Sequence, residues 1–397
     1  MPSTSPAARY LDTASAATGF LGEIASARTV AVDTEGASYH RFVDRIYLLQ
    51  LSTAAQHAII DPLKVSDLGR LGALLEDPAV EVVFHDADYD LRLLHQDYGW
   101  RVTNIFDTRV AAQLLGIKAF GLAALLEQNF GVKLDKKHQR ADWSMRPLTT
   151  DMLDYAAQDT LHLIDLSQRM RAALEKKRRW HWAQEEFKRL EGTQWDADDP
   201  STTFLRLKGA RDLGRRELAR LRELVTWRDD VARSQDRSTF RVVTNEALLE
   251  LSRRNPARPA EVGAVKGLNA RLVEQRGRDI VEAVLRGNAV PEAELPRFPR
   301  APRWDRDPDF DDKVARLKTV RDAAAVRLEM DPGVLCARDR LEAVVRARPT
   351  RVEDLSSIHE LRRWQVEELG EEFVKALRAA GNGTRPQPAS DSPYRDA

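Results

Sequence analysis

Cysteine is nearly absent from this chain of 397 residues, because Cys336 is the only one. A single cysteine excludes a disulfide within the chain and a zinc site built from several cysteines. Long apolar runs are also missing, since no segment approaches the roughly 20 apolar residues that a membrane-spanning helix needs. The first residues lack a basic region followed by an apolar core, so no secretory signal is predicted. These absences predict a cytoplasmic protein without a membrane partner.

An excess of charge of one sign is missing as well, since 62 basic residues face 62 acidic ones. The net charge therefore argues neither for nor against a nucleic-acid partner. The distribution is more informative, because segment 206–287 carries 19 basic and 12 acidic residues, and 17 of the 19 are arginine. Segment 1–190 has 23 basic and 25 acidic residues. A basic module beside a slightly acidic one suggests that binding and chemistry are divided between them.

The N-terminal half alternates strand-like and helix-like patterns. Such an order predicts an α/β domain with a mixed sheet. Asp107 stands where a helix begins and is predicted to cap it. The predicted strands are 29–35, 45–52, 57–60 and 80–84, and the predicted helices are 86–97, 107–115, 120–129 and 149–175.

From about residue 180 onward nearly everything has the pattern of amphipathic helix. Segment 245–265 aligns with segment 338–358 at an offset of 93 residues, which predicts two copies of one helical module. Proline-rich or polar stretches separate the modules. The predicted organisation is an α/β domain over 1–190, a linker over 191–205, a helical module over 206–287, a proline-rich linker over 288–309, a second helical module over 310–379 and a disordered tail over 380–397.

Asp33 and Glu35 lie two residues apart on the first predicted strand, so their side chains point to one face. Carboxylate oxygens are the ligands that Mg²⁺ and Mn²⁺ prefer. The pair therefore fits a metal site. An alternative from this pattern alone is a pair of solvated charges at a strand edge.

A second carboxylate stands out on the predicted helix 149–175. Asp159 falls on the apolar stripe of this helix, and Tyr155 lies one turn earlier at the border of the stripe. A carboxylate on a core-facing stripe is costly unless it is paired or binds a metal. An arginine or backbone donors that satisfy Asp159 remain an equal alternative at this point.

A third acidic cluster follows the predicted strand 80–84. Asp86, Asp88 and Asp90 are all candidates for a functional role, and helical periodicity does not choose among them. The remaining two are expected to cap the helix or to favour its N-terminus.

These residues together resemble the ribonuclease D family of DEDD exonucleases, in the branch with a tyrosine in the third motif. The order and spacing agree over about residues 29–175, and the repeated module resembles the HRDC domains of that family. The matching motifs are VAVDTE followed by YLLQLST, then HDADYDL, and then WSMRPLTTDMLDYAAQDTLHL.

The resemblance implies an RNase H-like fold and hydrolysis with two divalent metal ions, Mg²⁺ or Mn²⁺. It implies that Tyr155 orients the attacking water. One departure concerns the position after Glu35, where the family has a bulky residue that wedges against the terminal base and this chain has Gly36. That role is left to Tyr39 or another residue. The metal ligands implied by the resemblance are Asp33, Glu35, Asp90 and Asp159.

A basic segment, KKHQRADWSMRP, precedes the predicted helix 149–175. Basic residues interleaved with an aromatic can guide a single strand toward the metals. An equally weighted alternative is a solvated loop pinned by Trp143. The candidate RNA contacts are Lys136, Lys137, Arg140 and Arg146.

The expected function is a 3′→5′ exoribonuclease that acts on structured RNA with a free 3′ end, such as tRNA precursors. No small-molecule cofactor beyond the metals is expected, and the sequence does not indicate an oligomeric state. Two alternatives are the same chemistry on DNA and an inactive nuclease fold that serves as an RNA-binding scaffold. The intact set of four carboxylates and Tyr155 argues against the scaffold.

Overall fold

The computed structural model describes residues 8–135, 137–197, 199–299 and 307–381. The chain divides into two compact units. Tail residues 382–397 and Lys136 lie outside the described residues. Within the described residues no helix is both long enough and apolar enough to cross a bilayer. The first unit contains Met1–Ile105, Lys133–Ile164 and Glu191–Arg303, and the second contains Phe106–Val132, Asp165–Leu190 and Trp304–Ala397.

A six-stranded sheet forms the frame of the α/β domain, in the order β1-β4-β3-β2-β5-β6. Strand β2 pairs antiparallel with β3 and parallel with β5, so the sheet is mixed, as the sequence predicts. The outer strands β1 and β6 were not predicted, because three residues are too few to show an alternating pattern. The strands are β1 (Arg9–Leu11), β2 (Thr29–Glu35), β3 (Leu48–Ser52), β4 (His57–Ile60), β5 (Glu81–Phe84) and β6 (Ile105–Asp107).

Eight helices accompany the sheet in the described part of the N-terminal half. Asp107 caps the fourth by accepting hydrogen bonds from the backbone N–H groups of Arg109 (2.8 Å) and Val110 (3.0 Å), which confirms its predicted role. The helices are α1 (Ala14–Glu23), α2 (Gly69–Leu75), α3 (Asp88–Tyr98), α4 (Thr108–Leu115), α5 (Leu122–Phe130), α6 (Thr150–Leu161), α7 (Leu163–Lys176) and α8 (Trp180–Leu190).

The single helix predicted over 149–175 is wrong, because α6 and α7 are separated at His162. There the backbone leaves helical geometry, with φ −111° and ψ 2°. Just before the break, the hydroxyl of Thr160 lies 2.7 Å from that of Ser52, a hydrogen bond that ties the end of α6 to β3. The apolar period continues across the break, so the sequence pattern did not reveal it.

Helix α6 packs on the sheet at the place where the candidate carboxylates lie. Its Ala156 is fully buried in an apolar cluster with Leu48 of β3 and Ile59 of β4. Trp143, which is 2% exposed, completes this cluster from the preceding loop and confirms that the loop is pinned by its aromatic residue. Tyr155 packs against the edge of the same cluster. The apolar packing therefore holds Tyr155 and the neighbouring turn of α6 over strands β2, β3 and β4.

The two helical modules repeat one arrangement of helices. Helices α10, α11, α12 and α13 each have a counterpart that begins 93 residues later. The limits proposed for the domains and linkers stay a prediction, and residues 300–306 of the second linker lie outside the described part of the chain. The helices are α9 (Arg215–Ser234), α10 (Thr239–Val242), α11 (Asn245–Arg254), α12 (Pro259–Val262), α13 (Ala270–Ala289), α14 (Phe310–Arg327), α15 (Pro332–Leu335), α16 (Arg338–Ala347), α17 (Val352–Leu355) and α18 (Arg363–Gly381).

Candidate metal centre and nuclease site

Strand β2 and helix α6 bring three carboxylates together. One carboxylate oxygen each from Asp33, Glu35 and Asp159 lie within 4.8 Å of one another. Asp33 and Glu35 share a face because strand side chains alternate, and Asp159 reaches that face from α6. In the described parts of the chain, none of the three side chains accepts a hydrogen bond or forms an ion pair. The structure therefore supports neither a strand-edge pair nor an Asp159 satisfied by an arginine.

Asp90 joins this cluster from the first turn of α3. It is 4% exposed, and its Oδ1 accepts hydrogen bonds from the backbone N–H (2.9 Å) and the hydroxyl (2.5 Å) of Thr34. Thr34 lies between the two acids of β2, so these bonds fix Asp90 beside them. Asp86 and Asp88 are exposed, and Asp88 pairs with Arg92 one turn along the helix at 2.8 Å. The structure thus separates Asp90 from its two acidic neighbours.

The electrostatics of the cluster favour a cation. Burial, followed by the charges of Asp90, Asp159 and Glu35, raises the pKa of Asp33 well above its ordinary value. Burial and the charges of Asp159 and Asp90 raise the pKa of Glu35 in the same way. Burial raises the pKa of Asp159 to about 7. Ionising all of these groups is costly without a counter-charge, and oxygen donors are those that hard divalent cations prefer. The donor set therefore fits a divalent metal ion.

Tyr155 lies one helical turn before Asp159, next to the cluster. Its ring centroid is 6.1 Å from that of Trp143 and 5.8 Å from that of His138. Burial and the neighbouring carboxylates, Asp159 first, raise the pKa of the phenol above its ordinary value. The hydroxyl therefore stays protonated at neutral pH and is able to donate a hydrogen bond at the site.

The basic loop before α6 presents its side chains unequally. Lys137 forms an exposed ion pair with Asp151 at 3.2 Å, and such pairs are weak and easily exchanged. Arg140 is exposed, and its guanidinium forms no ion pair with the described residues. Lys136 falls outside them. Lys137 and Arg140 therefore remain accessible to a phosphate.

Arg146 is different, because all five of its N–H donors are directed at acceptors inside the protein. Nε and Nη2 contact the carboxylate of Asp61 at 2.6 and 2.8 Å. The remaining donors reach the carbonyl oxygens of Trp143 (2.7 Å), Met145 (2.8 Å) and Tyr47 (2.9 Å). A guanidinium has five donors, so none is left over for RNA. Arg146 is therefore a structural residue, and its predicted role as an RNA contact is wrong.

Gly36, where the resemblance implies a bulky residue, has no room for a side chain. A Cβ at this position would lie 2.0 Å from the hydroxyl oxygen of Tyr89 and 2.8 Å from Asp44. The Tyr89 hydroxyl donates to the Asp44 carboxylate at 2.6 Å, and Asp44 also accepts from the N–H of Ala37 at 3.1 Å. The Tyr89–Asp44 pair therefore occupies the space beside Glu35 that a larger residue would need.

Sequence reasoning missed Gln50, which faces the cluster from β3. It is fully buried and lies directly opposite Asp33 in the antiparallel register. Neither its amide oxygen nor its amide nitrogen has a hydrogen-bond partner within the described ranges. The signal in the sequence was a lone amide in the otherwise apolar run YLLQL.

Comparison with known protein families covers most of the chain. Residues 8–175 match the family described as 3′-5′ exonuclease, and residues 217–284 and 312–377 each match the HRDC domain. All four carboxylates and Tyr155 lie within the first match. The fold and the site thus define a 3′→5′ exonuclease domain, with an acidic cluster that suits divalent metal, followed by two HRDC domains.

Individual relatives narrow the class. Ribonuclease D of Acidiphilium cryptum is 30% identical, over 94% of this chain and 92% of its own length. Ribonuclease D of Granulibacter bethesdensis is 32% identical, over 79% of this chain and 80% of its own length. The crystal structure of Escherichia coli RNase D shares the fold, with a TM-score of 0.73 and 24% identity over 94% of this chain and 99% of that chain. The chain belongs to the ribonuclease D family, and it is a 3′→5′ exoribonuclease.

Proposed function

We propose that this enzyme shortens structured RNA, such as tRNA precursors, from a free 3′ end, with two divalent cations held by four carboxylates. The observation that carries the proposal is the cluster itself. Three of its acids gather oxygens within 4.8 Å without a cationic partner in the described chain, and the fourth is fixed beside them. The proposed ligands are Asp33, Glu35, Asp90 and Asp159.

The residues around the cluster have separate tasks in this proposal. The four carboxylates would hold two Mg²⁺ or Mn²⁺ ions, which would supply a bound water of lowered pKa and would stabilise charge on the leaving 3′ oxygen. Thr34 orients Asp90 through two hydrogen bonds to one oxygen. Tyr155 keeps its proton and donates it in a hydrogen bond that aligns the attacking water. Its position one turn from Asp159 places the hydroxyl on the side of the carboxylates.

The arginine-rich first HRDC domain is the proposed holding surface for longer RNA. Part of its surplus charge is structural, since Arg220 and Arg228 are 8% and 5% exposed and hydrogen-bond to Asn288 and Asn245. Others, including Arg237 and Arg241, are exposed and form no ion pair with the described residues. Exposed arginines on one module supply the phosphate contacts that give salt-dependent affinity.

RNA rather than DNA is the favoured substrate because the relatives that span most of this chain are ribonucleases D. Cytoplasmic location is part of the same proposal. It is supported by the single cysteine, Cys336, which is buried and unpaired and suits a reducing compartment.

The deciding experiment is digestion of a tRNA that carries extra 3′ nucleotides, with and without Mn²⁺. We expect stepwise release of nucleotides from the 3′ end, dependent on metal. Circular RNA of the same sequence should resist, because it offers no end. Efficient cutting of the circle, or faster digestion of a matched DNA strand, would contradict the proposal.

A further inference from the structure

An aromatic surface forms where the loop after β2 meets the start of α10. The ring centroids of Tyr39 and Phe240 are 5.1 Å apart, and the guanidinium of Arg241 lies 4.8 Å from the centre of the Tyr39 ring. Despite these contacts, Tyr39 is 45% exposed and Phe240 is 42% exposed. The exonuclease domain and the first HRDC domain thus present one joint surface of two rings and a guanidinium.

Polar contacts fix the loop that carries Tyr39 against the segment that precedes α10. Asp236 accepts hydrogen bonds from the guanidinium of Arg41 (3.2 Å) and from the N–H of Phe42 (3.3 Å). Ser238 donates through its hydroxyl to the carbonyl oxygen of Ser38 at 2.5 Å. The rings are therefore oriented in advance, which lowers the entropy that a ligand must overcome on binding.

The surface lies close to the metal cluster along the chain. Tyr39 follows Glu35 by four residues, so their Cα atoms are at most about 15 Å apart. Ala37, between them, is buried in the cluster of Trp143 against which Tyr155 also packs. At the roughly 3.4 Å rise of a stacked strand, this upper limit corresponds to at most about four nucleotides. A strand whose 3′ end lies at the carboxylates therefore needs only a few nucleotides to reach the rings.

Exposed arginines lie on the segments that carry or adjoin the rings. Arg140, Arg237 and Arg241 are exposed, and none forms an ion pair within the part of the chain that the structure describes. The ring nitrogen Nε2 of His40 lies 3.0 Å from the carbonyl oxygen of Arg140, a hydrogen bond that ties the basic loop to the loop that carries Tyr39. Bases stack on aromatic rings and on guanidinium planes, while arginines also bind the phosphates between them.

We propose that Tyr39, Phe240 and Arg241 form a subsite that stacks single-stranded nucleotides a few positions upstream of the scissile bond. This inference rests on the proposed function and adds a binding site that both domains build. It gives the first HRDC domain a role in the reaction, since neither ring alone offers the joint surface.

The test compares substrates that reach the subsite with one that does not. Tyr39→Ala and Phe240→Ala are assayed with Mn²⁺ on an RNA dinucleotide and on a single strand of about ten nucleotides. We expect the KM for the longer strand to rise about tenfold, as for loss of one stacked base, and that for the dinucleotide to change by less than about twofold. Tyr39→Phe keeps the ring and should match the wild type.

Two controls keep the outcome decisive. Val43→Ala removes an exposed apolar side chain from the same loop and should affect both substrates alike. Arg241→Ala should make the slope of log K against log salt shallower by about 0.7 per lost phosphate contact, whereas the loss in Tyr39→Ala should persist at raised salt. If the ring variants affect both lengths equally, or affect neither, the rings only join the domains and the subsite is refuted. A wild type that shortens no RNA would refute the proposed function instead.

Gln50 supports a second, independent inference about the metal centre. Gln50 on β3 pairs with Asp33 of β2 on one side and with Ile59 of β4 on the other. Residues directly opposite in an antiparallel pair share a face, so the amide lies on the carboxylate side of the sheet. Ser52, on the same face, is tied to Thr160, which places this face beneath α6.

The amide of Gln50 is buried without satisfying either of its polar atoms in the described chain. Buried polar groups in proteins are nearly always hydrogen-bonded, and an unpaired one is costly. We infer that Gln50 is a positioning residue, whose amide hydrogen-bonds to the carboxylate of Asp33, directly or through one water, when metal is bound. This inference also rests on the proposed function. Such partners orient metal ligands and tune their affinity.

Gln50→Leu tests this role, because leucine fills similar space without polar atoms. We expect calorimetric titration with Mn²⁺ to show affinity weakened about tenfold or more. In chelator, the melting temperature should equal or exceed that of the wild type, since an unpaired polar group has been removed. Leu49→Met, at the adjacent position on β3, is the matched control and should bind Mn²⁺ as the wild type does. Wild-type affinity in Gln50→Leu, or an equal loss in Leu49→Met, would overturn the inference.

Discussion

Two acidic sites lie on the same sheet and differ in what surrounds their carboxylates. Asp61, directly after β4, is fully buried and receives hydrogen bonds from Arg146 and from the hydroxyl of Tyr10 at 2.7 Å. Burial raises the pKa of Asp61, but the bonds from Arg146 and Tyr10 outweigh it and leave the pKa below its ordinary value. Asp61 is thus a charge that the protein satisfies internally.

Among the described residues, the carboxylates of Asp33, Glu35 and Asp159 have no such partner. Burial raises the pKa of Asp159 to about 7, whereas the pKa of Asp61 is lowered. The difference separates a structural acid from a proposed metal ligand. The fold places the guanidinium of Arg146 beside Asp61. The cluster around Asp33 instead requires a cation from solution to balance its charge. Strongly raised pKa values in a cleft are typical of functional sites for this reason.

The largest expected effect comes from removing a ligand charge. Asp33→Asn, Glu35→Gln, Asp90→Asn and Asp159→Asn should each lower the rate of 3′ trimming by on the order of 10³-fold or more, because all four are proposed to hold one metal centre. Double variants should lose little further activity. Single-turnover assays in Mn²⁺ measure the loss, and RNA affinity should survive. A variant that keeps a tenth of wild-type activity would remove that residue from the ligand set.

At Asp61, the structural acid, we expect the loss of its cationic partner to lower stability. Arg146→Ala leaves Asp61 buried without its guanidinium and should lower the free energy of unfolding by about 3–5 kcal/mol. Urea unfolding in chelator measures this change. Lys137→Ala removes an exposed cation from the same loop and should change stability by less than about 1 kcal/mol. Equal stability of the two variants would contradict the contrast drawn between the sites.

Tyr155→Phe separates the role of the phenol from that of the carboxylates, since it removes a hydroxyl but no proposed metal ligand. The rate should fall by about 10²-fold, as for loss of a positioned proton-handling group. Affinity for Mn²⁺, measured by calorimetry, should stay within about twofold of the wild type. A large loss of metal affinity would show that Tyr155 acts on the ligands and not on the water.

The two sites should also respond to pH with opposite sign. A carboxyl with a raised pKa, such as Asp159, binds its proton more tightly when folded. In chelator, its contribution to stability is present below about pH 4 and is lost as pH rises through about 7. Asp61 has a lowered pKa, so its contribution is lost as pH falls. Asp159→Asn should make the loss between pH 4 and 7 shallower by up to about 1.4 kcal/mol per pH unit. An unchanged slope would contradict the raised pKa.

Local patterns in the sequence predicted the parts of this site that depend on periodicity. Alternation on β2 predicted that Asp33 and Glu35 share a face, and the helical period predicted that Asp159 turns inward. Contacts between distant residues were beyond such patterns. Thr34 donates to Asp90, which lies 56 residues away in the sequence, and Arg146 donates to Asp61, which lies 85 residues away. A basic residue in a loop has the same appearance in sequence whether it meets a phosphate or a buried acid.

The smallest expected effect concerns Asp88, which lies two residues before Asp90 on α3. Asp88 is exposed and pairs with Arg92 along the helix, and such pairs contribute about 0.3–0.5 kcal/mol. Asp88→Asn should therefore leave trimming within about twofold of the wild type and stability within about 0.5 kcal/mol. Asp90→Asn is the matched variant, because it makes the same chemical change at the buried position that Thr34 holds. If Asp88→Asn abolished activity while Asp90→Asn kept it, the fourth acid of the cluster would be Asp88, and the two hydrogen bonds from Thr34 would mark a structural carboxylate like Asp61.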